Sequence, residues 1–284
     1  MDYFDIQVEK IVERALEEDL GWGDVTTDNL IPEDARAEGT VVTRDEGKVC
    51  GVGVIEMVFS RVDPETQVQV VKEDGEDMHP GDVIARVQGS AGSLLRAERV
   101  ALNFMQRMSG IATVTARYVD AVRGLPVRIA DTRKTAPGLR VLDKYAVRMG
   151  GGLNHRLHLG DGVLIKDNHL ALMGLGGGRL KEVVSRMRRH SPRILSVEVE
   201  AKSVEEARAA AEAGADIILL DNMDAGTMKA AVDAIAGRAL IEASGGMSLE
   251  RVRSVAETGV DFISVGALTH SVRAMDIALD IRPA

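Results

Sequence analysis

The sequence predicts an α/β protein in which an α+β module precedes a barrel of repeated strand–helix units. Three observations carry the prediction. From Val127 onward, short apolar runs alternate six times with amphipathic stretches of helical period. The last four apolar runs begin 22 or 23 residues apart, the length of one compact βα unit. Residues before Val127 lack this rhythm and mix turn-bounded alternating strands with helices, as an α+β unit with mainly antiparallel pairing does.

Taken in order, residues 5–19 read as a helix with Ile6, Ile11, Val12, Ala15 and Leu16 on one face, and "GWGDVTTDNLIP" (21–32) reads as loop and turn. "AEGTVVTRDEG" (37–47) and "TQVQVVKEDG" (66–75) read as strands running into turns, with a helix over 53–62 between them. "MHPGDVIARVQG" (78–89) is another turn and strand. Two helices follow, over 93–110 and 111–124, separated at Ser109-Gly110.

The barrel strands fall at 127–130, 162–165, 194–199, 217–220, 239–243 and 262–265. Helical stretches follow each, over about 138–149, 179–190, 203–213, 224–236, 248–258 and 271–280. Repeated βα units imply a parallel sheet with helices outside, and no GxGxxG opens the first unit, which disfavours a dinucleotide fold. Six strands are legible where a full barrel has eight, so either further strands are hidden, one within 153–159, or the barrel is incomplete. The glycines at 176–178 read as a flexible loop.

The chain has 284 residues, 45% hydrophobic and 28% charged, and a net charge of −9. A general surface for nucleic acid or anionic membrane is thereby disfavoured, and no apolar run reaches membrane-spanning length. Cys50 is the only cysteine, which excludes an internal disulfide and a cysteine-based zinc site. An acidic, amphipathic start unlike a signal peptide adds to the expectation of a cytoplasmic protein. Against this acidity, residues 131–170 hold seven Lys/Arg and four acids, together with three of the six His. A basic island in an acidic chain points to a small anionic ligand.

Barrel chemistry gathers where strands end at their carboxyl side. There stand Asp131, Thr132, Arg133 and Lys134; Lys166, Asp167, Asn168 and His169; Glu198 and Glu200; Asp221 and Asn222; Glu242 with Ser244, Gly245 and Gly246; and Val265, Gly266 and Ala267. The last two sets are glycine turns before helices, as a phosphate cradle requires, and barrels commonly place such a cradle after their last two strands. Glu200 and Asp221 on neighbouring strand ends can hold Mg²⁺, stabilise a cationic transition state, or pair with the nearby bases. Whether Glu198 or Glu200 points inward stays open on period alone. Arg133, Lys134, Arg156 and Lys166 converge on the mouth, and His155 adjoins them. Such a mouth suits a phosphorylated sugar at one end and carboxylates or phosphates at the other.

The segments "EEDLGWGDVTTDNLIP", "RAERVALNFMQRMSGIAT", "DTRKTAPGLRVLDKYAVRMGGGLNHR", "VLIKDNHL", "VEVE", "LLDNM", "EASGGMS" and "VDFISVGALTHSV" resemble, nearly end to end, the quinolinate phosphoribosyltransferase (carboxylating nicotinate-nucleotide pyrophosphorylase) family. The resemblance implies an N-terminal α/β sandwich (1–111, joined by the tail 271–284) and an incomplete six- or seven-stranded α/β barrel (112–270). It implies a homodimer or larger assembly with shared active sites. The implied reaction takes quinolinate and phosphoribosyl pyrophosphate, with Mg²⁺, to nicotinate mononucleotide, pyrophosphate and CO₂. By position, it implies Arg99 reaching quinolinate in the neighbouring subunit, Thr132 and Arg133 at its carboxylates, and Lys134 at the pyrophosphate end. His155, Arg156 and Lys166 fall in the same cationic pocket. Glu200 and Asp221 lie at ribose and Mg²⁺, ligating it directly or through water, and Ser244, Gly245, Gly246, Val265, Gly266 and Ala267 cradle the 5′-phosphate. Lys134, Lys166, Glu200 and Asp221 are the implied catalytic set. Ala136 and Met149 depart from the family pattern at positions without chemistry.

Three rival readings are weighed. One is a ModD-like paralogue of the same fold linked to molybdenum uptake, disfavoured by the intact "GGGLNHR" and "IKDNH". Another is a phosphate-binding barrel isomerase or aldolase using Lys166 as a Schiff-base lysine. The last is a non-catalytic binding protein, disfavoured because unpaired buried charges cost several kcal/mol.

Overall fold

The computed structural model describes residues 3–173 and 179–284, so the glycines at 176–178 lie outside the described residues. The chain divides into two compact units: Met1–Ala116 with Thr135–Gly151 and Ser271–Ala284, and Arg117–Lys134 with Gly152–His270. The sequence expectation set the junction at 111/112 and gave residues 135–151 to the barrel.

The first unit contains α1 (Tyr3–Leu20), α2 (Val25–Leu30), β1 (Arg36–Thr43), β2 (Gly47–Lys48), α3 (Val52–Val62), β3 (Gln67–Val70), β4 (Asp77–Met78), β5 (Val83–Ser90), the body of α4 (Ala91–Ala121), α5 (Arg140–Met149) and β12 (Ile277–Pro283). Its main sheet runs β12-β1-β5-β3, all antiparallel. Along β1 every second residue is buried, the mark of a sheet covered on one face. Val41 and Leu279 of the sheet meet Ile55, Phe59, Ala101 and Leu102 of the helices.

Three local expectations change. The 21–32 segment holds the short helix α2, because Asp24 caps it by accepting from the Thr26 and Thr27 amides at 3.1 and 3.0 Å. The two helices read over 93–124 are one, α4. Ser109-Gly110 serves close packing instead of a break: Ser109 Oγ exchanges hydrogen bonds with the Cys50 backbone, and a Cβ on Gly110 would sit 2.3 Å from the Arg273 carbonyl. The helix expected over 271–280 is instead β12, paired with β1 from Ile277 to Pro283. Ile277, Leu279 and Ile281 alternate with polar or small residues, and that period of two prevails once β1 offers an edge.

The second unit is built on six parallel strands: β6 (Arg128–Ala130), β7 (Val163–Ile165), β8 (Val197–Ala201), β9 (Ile217–Asp221), β10 (Leu240–Ser244) and β11 (Phe262–Ser264). Their order is β6-β11-β10-β9-β8-β7, so the first strand pairs with the last and the sheet curls into a barrel left open between β6 and β7. The strand suspected within 153–159 amounts to one parallel bridge from Leu153 to Ala130. Outside stand α7 (Leu180–His190), α8 (Val204–Ala213), α9 (Ala225–Ile235) and α10 (Leu249–Ala256), while the short α6 (Asp167–Leu172) and α11 (Ala267–His270) follow β7 and β11. Among the described residues no helix is long and apolar enough to cross a membrane.

Candidate active site

The site sits where the six barrel strands end. Asp131, just past β6, is fully buried; its carboxylate accepts from the His155 amide at 2.8 Å and the Asn154 side chain at 2.7 Å. Leu153 exchanges backbone hydrogen bonds with Ile129 and Asp131 at 2.8 and 3.0 Å. The 153–156 segment is thus laced to the β6 edge that β7 leaves unpaired. His155 Nδ1 accepts from the Arg156 amide at 2.8 Å, and Nε2 lies 3.2 Å from Glu198 and 3.6 Å from Glu242. Ser264 Oγ donates to Glu242, whose carboxyl is pushed up to about 7 by burial and then by the neighbouring Glu198 charge.

Arg156 Nη1 donates to the Gly162 carbonyl at 3.1 Å. Burial, and then the adjoining Arg133 charge, hold its guanidinium below the usual value. Arg133 Nε is itself buried with no hydrogen-bond partner. Two guanidiniums near enough for one charge to act on the other, one with a buried donor unused, form a wall that an anion would complete.

Lys166 Nζ lies 3.4 Å from Glu200, the lysine half-exposed and the carboxylate nearly buried. Asp221 ends β9, which pairs with β8, so Glu200 and Asp221 stand on adjacent strands. Lys202 pairs with Asp167, whose hydrogen bond does most to raise the lysine's pKa; the Glu200 and Asp221 charges add to this and bring both near one ammonium. Two carboxylates so placed offer hard oxygen donors of the kind Mg²⁺ takes.

After β10 the chain turns through Gly245 (φ +91°) and Gly246 (φ +57°). A Cβ on Gly245 would fall 2.2 Å from Asn222 Oδ1 and 2.8 Å from the Asn222 amide, so only glycine fits. Arg251 donates to the Gly245 and Gly246 carbonyls at 3.3 Å and to that of Met223, anchoring the turn from behind. After β11, a Cβ on Gly266 would meet Lys134 Cδ at 3.1 Å, and Thr269 Oγ1 donates to the Lys134 carbonyl at 2.8 Å. Lys134, exposed at the rim, is therefore strapped beside the Val265–Ala267 turn.

Family models for the N-terminal and C-terminal domains of quinolinate phosphoribosyl transferase match residues 24–109 and 111–280. The chain belongs to the quinolinate phosphoribosyltransferase family. It is an enzyme of that pentosyl-transferring class, and its fold is the family's. A carboxylating nicotinate-nucleotide pyrophosphorylase of Mycobacterium leprae is 47% identical over 276 residues, covering 95% of both chains. A probable one of Bacillus subtilis is 41% identical, covering 97% of this chain and 94% of its own. The solved structure of NadC from Streptococcus pyogenes superposes with a TM-score of 0.94 at 37% identity, over 100% of this chain and 99% of that one.

On this family's barrel, the strand ends bring together Thr132, Arg133, Lys134, Arg156, Lys166, Glu200, Asp221 and both glycine turns, in the second unit. Arg99 is exposed on α4, in the first unit. His155, expected in the cationic pocket with Arg156 and Lys166, turns its ring toward the buried Glu198 and Glu242. Sequence reasoning placed Asp131, Glu198 and Glu242 only as strand-end residues and left open which of Glu198 and Glu200 points inward; Asp131, Glu198 and Glu242 are all buried. The signal was there: Glu198 and Glu242 interrupt apolar runs of strands buried on both faces.

Proposed function

We propose that this chain transfers the phosphoribosyl group of phosphoribosyl pyrophosphate to the ring nitrogen of quinolinate, with loss of CO₂, giving nicotinate mononucleotide and pyrophosphate in the de novo route to NAD. The observation that carries the reading is the Arg133–Arg156 pair, two adjacent cations that call for a ligand with two carboxylates. Family membership supports it independently.

The residues divide the work by charge. Arg133 and Arg156 orient the pyridine dicarboxylate, with the Thr132 hydroxyl beside them, so that the ring nitrogen faces ribose C1. The Ser244–Gly246 and Val265–Ala267 turns, where β10 and β11 end, receive the 5′-phosphate on their backbone N–H groups. As the bond to pyrophosphate breaks, positive charge grows on the ribose, and Glu200 and Asp221 stabilise it electrostatically. Lys134, strapped beside the phosphate turn, offsets charge gathering on the leaving group. Lys166 holds Glu200 in place through their ion pair. Once the ring nitrogen is quaternary its positive charge stabilises the electron pair left on ring C2 as the 2-carboxylate departs as CO₂, and C2 then takes a proton from water, so decarboxylation needs no dedicated organic cofactor. Glu200 and Asp221 would hold Mg²⁺, directly or through water; when bound, the ion neutralises pyrophosphate charge.

Arg99 is exposed on α4, as a residue serving another copy's site would be before assembly, and we assign it to the quinolinate site of a partner in a homodimer or larger assembly. A single buried, unpaired Cys50 suits a reducing, cytoplasmic setting. Lys166, half-exposed and facing Glu200, lacks the apolar enclosure that activates a Schiff-base lysine.

The test is acceptor choice. With phosphoribosyl pyrophosphate and Mg²⁺, quinolinate should yield nicotinate mononucleotide, and nicotinate, with one carboxylate, should be poorer by about 10⁴-fold because it leaves a guanidinium unpaired. Equal use of both acceptors, or no product from folded protein, would overturn the reading.

A further inference from the structure

Beneath the mouth the barrel interior is not apolar. Alternate strands of an α/β barrel share a layer of inward side chains, ordinarily bulky aliphatics. Here the first, third and fifth strands supply Asp131, Glu198 and Glu242, which are 0%, 4% and 4% exposed. Buried carboxylates this close repel one another unless cations or protons intervene. Asp131 is satisfied by the 154–155 segment, and Glu242 by Ser264. One oxygen of Glu198 faces His155, and the other is buried with no hydrogen-bond partner.

His155, Glu198 and Glu242 offer three ligand atoms within 4.8 Å of one another, so a metal centre must be weighed first. The ring's hydrogen bonds argue against it. The Arg156 amide can only donate, so His155 Nδ1 must accept, and the neutral ring then carries its proton on Nε2. A metal would need that Nε2 lone pair, and metal-binding histidines typically donate from the other nitrogen. With its proton on Nε2, the ring instead points an N–H at Glu198.

We propose that Glu198, acting through His155, is a positioning residue for the dicarboxylate: it fixes the imidazole so that its Nδ1 holds the Arg156 amide and keeps the Arg156 guanidinium turned toward the dicarboxylate, while Glu242 serves only as its buried neighbour. The inference rests on the reading of Arg133 and Arg156 as the quinolinate wall. The two acids differ in duty. Glu198 works as a carboxylate, accepting from the ring and acting on the Arg156 charge. Glu242 accepts from Ser264 and stands beside Glu198; an amide of the same shape can do the same, in keeping with a carboxyl pushed up to about 7.

The test compares Glu198→Gln and Glu242→Gln by steady-state kinetics, quinolinate calorimetry and metal analysis of the purified proteins. Glu198→Gln should raise the KM and Kd for quinolinate about 10- to 100-fold, the effect of losing one charged hydrogen bond, while kcat and the KM for phosphoribosyl pyrophosphate stay within about threefold. Glu242→Gln should leave the quinolinate KM within about threefold. Should Glu198→Gln fail to fold, His155→Phe, which removes the Nδ1 acceptor, should show the same selective rise. A Glu198→Gln or His155→Phe enzyme with an unchanged quinolinate KM, or with both KM values raised alike, would overturn the proposal. So would one tightly bound metal per chain that Glu242→Gln releases. Wild-type protein inert toward quinolinate would sink the functional reading instead, so the two failures are distinguishable.

Discussion

Replacing Glu242 with glutamine tests the buried acid layer through stability alone. Its carboxyl stands at about 7 in the fold against an ordinary 4.5, chiefly because burial disfavours the charged form. A group raised in this way contributes stability that is fully present below about pH 4.5 and lost as pH rises through 7. The gap of about 2.5 between the two values is worth about 3 kcal/mol, and at this depth solvent screening does little to reduce it. For a barrel of this size about 3 kcal/mol corresponds to roughly 6–12 °C in Tm. Glutamine has the shape of the protonated acid and cannot ionise. In thermal melts from pH 5 to pH 8.5, Glu242→Gln should lose less stability than wild type as pH rises, the difference between them shifting by about that amount in favour of the variant. Parallel curves across this range would refute the assignment of a raised pKa to Glu242.

Other perturbations separate the parts of the site. Arg133→Ala should lower kcat/KM for quinolinate about a hundredfold with Tm nearly unchanged, since its buried Nε makes no hydrogen bond to lose; normal kinetics would show the pocket is misplaced. Gly245→Ala should cost about 1–2 kcal/mol from its positive φ alone, more with the Asn222 clash, and should raise the KM for phosphoribosyl pyrophosphate well above that for quinolinate. Mixing Arg99→Ala with Lys166→Ala protein should restore part of the activity each lacks if the site is shared between copies, and no rescue despite demonstrated subunit exchange would refute the sharing. Chelating divalent cations should stop turnover while leaving the melting curve unchanged; unaltered turnover would remove Mg²⁺ from the account.

The barrel was legible because parallel strands buried on both faces must be apolar runs, and because one βα unit has a nearly fixed length. The cationic mouth was legible because Arg133, Lys134 and Lys166 sit just beyond such runs. What escaped was decided by contacts distant in sequence. Gly110 reads as a helix break until the backbone at Arg273 is seen to need its missing Cβ. Residues 277–283 fit either period until β1 supplies an edge. His155 reads only as a neighbour of Arg156, because nothing local shows that its ring meets acids 43 and 87 positions away, Glu198 and Glu242. Arg251, which braces the glycine turn, carries no motif of its own.

The central claim is that one site both joins the ring nitrogen to ribose and releases the neighbouring carboxylate. Quinolinate labelled with ¹³C in its 2-carboxylate, supplied with phosphoribosyl pyrophosphate and Mg²⁺, tests it directly. The account predicts that labelled CO₂ and unlabelled nicotinate mononucleotide appear together in equal amounts, and only when phosphoribosyl pyrophosphate is present. Label retained in a dicarboxylate nucleotide, or released without the sugar donor, would contradict it.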